Sequence, residues 1–180
     1  MRAACLVWIL FFPLAAFGAE LEGRILTHYV PQDFLEAVVR REGWTELPLN
    51  LKGGVRKGDV VRIWAGGLID RGNGDEPGEN VAGPSGLATT GTPADRKKFA
   101  LSPDAGNAFA LLFKTETTGP KKCLAAGKPL EIKFTRDKEH VWLGFNDERG
   151  RYQDNHLGKG RRHERRPLWV RIEIVRTIVD

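Results

Sequence analysis

Cysteine is scarce: Cys5 and Cys123 are the only two in 180 residues. That excludes a disulfide-dense scaffold and a multi-cysteine zinc or iron–sulfur centre. Long apolar runs are missing beyond the first residues, which excludes a polytopic membrane protein. Histidine is sparse too. His28, His140, His156 and His163 include no pair at the His-x-x-x-His spacing of a helical zinc site. No Gly-Lys-Ser/Thr follows a glycine-rich stretch, so there is no P-loop. Ser85, in Gly83-Pro84-Ser85-Gly86, lacks the spacing of a nucleophile elbow. With no convincing catalytic constellation, the chain reads as a binder and not as an enzyme. The enzyme alternative is a glycosidase in which Asp147 and Asp154 serve as acid and base.

What is present is the composition of an ordinary globular protein, 41% hydrophobic and 28% charged. The length predicts one domain. Arg2 is followed by an apolar stretch from Ala3 to Leu14 and by small residues at Ala16 and Gly18, with the acidic Glu20 soon after. A short positive start, a stretch too short to span comfortably and a small-residue exit describe a secretory signal peptide over residues 1–18. The expected mature domain is 19–180, in the periplasm or secreted. It keeps one cysteine, Cys123, which reads as a covered thiol.

Charge is concentrated in two places. Lys159, Arg161, Arg162, Arg165 and Arg166 with Glu164 give residues 159–166 a net of +4, close to the whole-chain +5. Residues 70–79 carry Asp70, Asp75, Glu76 and Glu79 against Arg71, a net of −3. The basic run can bind phosphate, sulfate or uronate groups, or serve as a solvated loop.

Residues 60–65, 108–114, 130–135, 140–145 and 168–175 are predicted as strands, and 24–30 as a further one. Leu130-Glu131-Ile132-Lys133-Phe134-Thr135 alternates strictly, and Trp169-Val170-Arg171-Ile172-Glu173-Ile174-Val175 does so over most of its length. Such alternation fits strands with one face in a core and one in water. Trp64, Trp142 and Trp169 are read as core fillers, because each lies within a strand pattern. Residues 32–41 fit either a short helix after Pro31 or a core strand, and the all-β context favours a strand from about residue 35. Residues 66–107 read as a long loop excursion. Many strands joined by Gly/Pro-rich connections predict an all-β fold, a β-sandwich or jelly roll.

Two blocks carry a family resemblance. The first is Gly58-Asp59-Val60-Val61-Arg62-Ile63-Trp64-Ala65-Gly66-Gly67, followed after a polar loop by Gly83-Pro84-Ser85-Gly86. The second runs Trp142-Leu143-Gly144-Phe145-Asn146-Asp147, then Gly150-Arg151-Tyr152-Gln153-Asp154-Asn155, then the strand from Leu168. Together they resemble the PA-I-like galactophilic bacterial lectins and the wider galactose-binding-like β-sandwich domains, over residues 35–176. The resemblance implies a calcium ion that bridges protein to sugar hydroxyls. Its ligands would be the side chains of Asp147, Asp154 and Asn155 and the backbone carbonyls of Arg71 and Arg151. That set suits calcium, which takes six to eight oxygens. The lectins grip the sugar with a His and a Gln after Gly-Pro-x-Gly. Residues 87–93 here contain neither, so the resemblance implies the fold and the ion site and leaves the sugar open. The expected function is calcium-dependent carbohydrate binding. The alternative is an envelope interaction module that docks an anionic polymer or a protein partner through Lys159, Arg161, Arg162, Arg165 and Arg166. Export argues against nucleic acid.

Overall fold

A computed structural model describes residues 23–49, 51, 54–71, 81–86, 98–102, 108–123, 128–157 and 167–177. The expected signal peptide and most of the basic and acidic loops lie outside these residues.

Eleven strands and one helix follow in the order β1 Gly23–Tyr29, α1 Gln32–Val39, β2 Thr45–Glu46, β3 Val60–Gly66, β4 Ile69–Asp70, β5 Val81–Ala82, β6 Leu111–Thr115, β7 Lys121–Lys122, β8 Leu130–Lys133, β9 Val141–Phe145, β10 His156–Leu157 and β11 Trp169–Thr177 among the described residues. One four-stranded sheet has the order β1-β11-β3-β8 and a second has β2-β9-β6-β7. All pairings between named strands are antiparallel. Alternation decides which side of each strand is buried. Val61, Ile63 and Ala65 of β3 and Val170, Ile172 and Ile174 of β11 face Phe113 of β6 and Leu143 and Phe145 of β9 in one apolar cluster. The fold is an all-β sandwich with one short helix.

The helix corrects the strand favoured for residues 35–41. Leu35, Val38 and Val39 are its buried residues, at the i, i+3, i+4 spacing of one helical face. The β-branched pair Val38-Val39 suggests a strand, but the packing of that face decides the outcome. The three tryptophans are a second correction. Trp64, Trp142 and Trp169 are half-buried, and none belongs to the core cluster. They occupy the outer faces of the sheets, at the positions that alternate with the core residues. Trp169 lies over Gly66, where a Cβ would come within 2.6 Å of the indole.

A third sheet, β10-β4-β5, builds one end of the sandwich. After β3 the chain turns through Gly67, with φ of +82°, and runs directly into β4. β4 then pairs with β10 in the register His156↔Asp70 and Leu157↔Ile69. Continued by one residue, that register sets Arg71 opposite Asn155. β9 ends at the same rim, immediately before Asn146 and Asp147.

Candidate ion and ligand site

Asn146 anchors the rim. Its side-chain oxygen accepts from the N–H groups of Leu101 (3.0 Å) and Ser102 (3.1 Å), and its amide donates to the Ser102 carbonyl (3.1 Å). The next residue is thereby fixed. The N–H of Asp147 donates to the Tyr152 hydroxyl (3.1 Å), and that hydroxyl donates to the Asp147 carbonyl (3.0 Å). One buried phenol therefore clamps both backbone groups of Asp147. The loop between them is closed by Arg151 N–H donating to the Glu148 carbonyl at 3.1 Å.

Asp147 is 3% exposed and Asn155 is fully buried. The Asn155 amide donates to Asp147 Oδ2 (2.8 Å) and to the Val39 carbonyl (2.9 Å). A carbonyl can only accept, so the orientation of this amide is set by its partners. Val39 is the last residue of α1, where helix carbonyls lack intrahelical partners. With both N–H bonds spoken for, Asn155 Oδ1 is left buried and without a hydrogen-bond partner. Asp154 Oδ1 is likewise buried and without one. Two adjacent acceptors with no donor are uncommon in a folded protein and call for an explanation.

The electrostatics point the same way. Burial pushes the Asp147 carboxyl up to about 6, and the neighbouring charge of Asp154 adds to that. The Asn155 amide, the Glu148 N–H and the field of Arg71 offset only part of it. Burial also lowers the Arg71 guanidinium, with Asp147, Asp70 and Glu148 opposing that shift. Its side chain lies over the Phe109 ring at 4.0 Å, and its Nε is buried without a partner. This rim thus concentrates acceptor oxygen and negative charge.

Asp147, Asp154 and Asn155 thus come together from the end of β9 and the start of β10, with Arg71 at the facing register position. Arg151 sits in the same loop, one residue before the Tyr152 clamp. Among the described residues no three His, Cys, Asp or Glu side chains gather as a metal-holding group. The set at this rim has two carboxylates, and its other oxygens come from an amide and from carbonyls. The orphaned acceptors at Asp154 and Asn155, beside the buried Asp147 carboxyl, are oxygen donors of the kind that calcium takes. Lys159, Arg161, Arg162, Arg165 and Arg166 lie outside the described residues.

No family model and no curated protein sequence matches the chain. Among solved structures it is similar to one described as the EclA N-terminal domain, a PllA-like lectin. The alignment covers 73% of this chain and 92% of that one, with a TM-score of 0.33 and 15% identity.

A cleft of about 630 Å³ adjoins the site, lined by Gln32, Asp33, Glu36, Asp70, His156, Leu157 and Pro167. Asp70 and His156 are the chain neighbours of Arg71 and Asn155. Glu36, on α1, accepts from the Leu157 N–H at 2.9 Å and meets His156 Nδ1 at 3.2 Å. Three parts of this site carry no clear sequence signal: the α1 carbonyl that orients Asn155, the Tyr152 clamp and the Glu36 wall. The helical spacing of Leu35, Val38 and Val39 was the one available clue to the first and third.

Proposed function

We propose that the chain is a calcium-dependent carbohydrate-binding domain. The observation that carries this reading is the pair of buried, partnerless acceptors, Asp154 Oδ1 and Asn155 Oδ1, beside the buried carboxylate of Asp147. Asp147, Asp154 and Asn155 would hold the ion, with the carbonyls of Arg71 and Arg151 completing the protein share. When bound, calcium would supply open coordination positions that vicinal sugar hydroxyls fill in place of water.

The chain's own residues do the rest. Tyr152 and Asn146 hold Asp147 rigid, so little ordering remains to be done on binding. Asn155, locked by Val39 and Asp147, keeps Oδ1 aimed as an acceptor. The adjoining cleft offers Glu36, Asp33 and Asp70 as acceptors for hydroxyl protons, and its volume falls within the range of small-molecule sites. The natural sugar is not galactose by default, since the His and Gln of the resembled lectins have no counterpart at residues 87–93.

Calorimetric titration with calcium, followed by a glycan array with and without chelator, tests the reading. Calcium heat and chelator-sensitive glycan signals are expected, both lost in Asp154→Ala. Absence of calcium heat in the wild-type protein overturns it.

A further inference from the structure

The outer face of the second sheet carries an arrangement that the rim site does not use. Register places Glu46 of β2, Trp142 of β9 and Lys114 of β6 side by side on one face. The Lys114 ammonium lies 4.6 Å from the Trp44 ring centroid and 5.3 Å from that of Trp142. One ammonium is thus flanked by two indoles. Gly144 makes room for this, since a Cβ there would meet Trp44 at 3.2 Å. His140 stacks on Trp142, with ring centroids 6.0 Å apart and planes 29° apart, and its Nδ1 lies 2.5 Å from Glu46 Oε1. Both His140 and Glu46 are more than half exposed.

A cavity of about 390 Å³ opens beside this face. Glu46 and His140 line it, together with Lys138 and the apolar Leu47, Pro48 and Val55. Aromatic platform and cavity therefore share two residues and form one continuous surface. It is made of other residues than the rim: Trp142 precedes Asp147 by five residues, at most about 17 Å of extended chain.

We propose that this surface is a second, metal-independent binding site for a neutral oligosaccharide. The apolar C–H face of a pyranose ring stacks on Trp142 in place of the exposed His140 imidazole, and a neighbouring ring enters the cavity. The polar groups match hydroxyls in kind. Lys114 and Lys138 donate, the Glu46 carboxylate accepts, and His140 can do either. Their charges are of mixed sign, with Glu46 already facing His140, so the surface presents hydrogen-bonding groups without a strong net field. That complementarity favours an uncharged polyhydroxylated ligand over an anionic or cationic one. Two binding surfaces at separate places on one domain would let it engage a glycan chain twice, or bridge two chains.

The test is an array of neutral and acidic oligosaccharides probed with the full chain in excess EDTA, which silences the rim site. Signals on neutral oligosaccharides are expected to persist in EDTA. They should weaken about tenfold or more in Trp142→Ala, as loss of an anchoring tryptophan does, and recover in part in Trp142→Phe. Lys114→Met, which keeps the stem and removes the donor, should weaken them as well. Circular dichroism melting shows whether each variant folds, and tryptophan emission of the wild-type protein titrated with a neutral hit from the array gives a readout that needs no variant. No signal in EDTA, signal only on acidic glycans, or indifference to Trp142→Ala and Lys114→Met in folded protein each overturns the proposal. Failure of the rim site alone, seen as no calcium heat, leaves these expectations unchanged.

Discussion

Asp147 gives the sharpest quantitative handle. Its carboxyl rises from an ordinary value of 3.8 to about 6, chiefly because folding buries it. That difference corresponds to about 3 kcal/mol of destabilisation once the group is ionised. The sign follows from where the protons are. Below 3.8 the carboxyl is neutral in both states and exerts no penalty. Between 3.8 and about 6 the unfolded chain ionises while the folded one resists, so stability falls as pH rises. Above about 6 the penalty is complete. Asp147→Asn removes the charge and therefore the slope. It also leaves one NH₂ facing a donor, either the Asn155 amide or the Glu148 N–H, at a pH-independent cost of about 1 kcal/mol. Urea unfolding in EDTA from pH 3.5 to 8 separates the two effects. The stability of wild type relative to Asp147→Asn should fall by about 3 kcal/mol across that range, a shift in relative Tm of about 6–12 °C for a domain of this size. Calcium at about 100 times its Kd should return about 2.7 kcal/mol to the wild type alone. A stability difference that stays flat from pH 3.5 to 8 would refute the burial argument.

Other residues yield independent expectations. Tyr152→Phe strips the clamp from the Asp147 backbone and should cost about 1–3 kcal/mol in urea unfolding, with weaker calcium binding in calorimetry. Asp59, 3% exposed, holds Arg176 at 2.7 Å, and Arg176 also donates to the Gly54 carbonyl at 2.9 Å; Asp59→Ala should cost about 3–5 kcal/mol while leaving the calcium affinity of folded protein unchanged. Gly86 has φ of +71° and packs against Ala108 and Ala110, so Gly86→Ala should lower thermal stability by at least the about 1–2 kcal/mol of left-handed strain.

Legibility in the sequence follows the length of each element. β8 and β11 are four and nine residues long and announce themselves by alternation, because each has one face in the core. β4, β5 and β10 have two residues each, too few for any period, yet their pairing brings Arg71 to Asn155. The predicted strand at 108–114 begins only at Leu111, since Phe109 adopts φ of +53° as it enters from the loop. Asp147, Asp154 and Asn155 stand out through the resemblance to the lectins, and their role as ligands is the proposal made above. Their convergence depends on the Val39 carbonyl and thus on a helix that local preference alone does not settle. The tryptophans were misplaced for a related reason. Alternation sets Trp64 on the face of Arg62 and Trp169 on the face of Arg171 and Glu173, and those charged neighbours send both indoles outward while Val61, Ile63, Val170 and Ile172 take the core.

A crystal structure grown with calcium addresses the central claim most directly. An ion is expected at about 2.3–2.6 Å from Asp154 Oδ1, Asn155 Oδ1 and a carboxylate oxygen of Asp147. Density there for the Arg71 guanidinium alone, or the side chains of residues 147 and 154 turned apart around an empty gap, would contradict it.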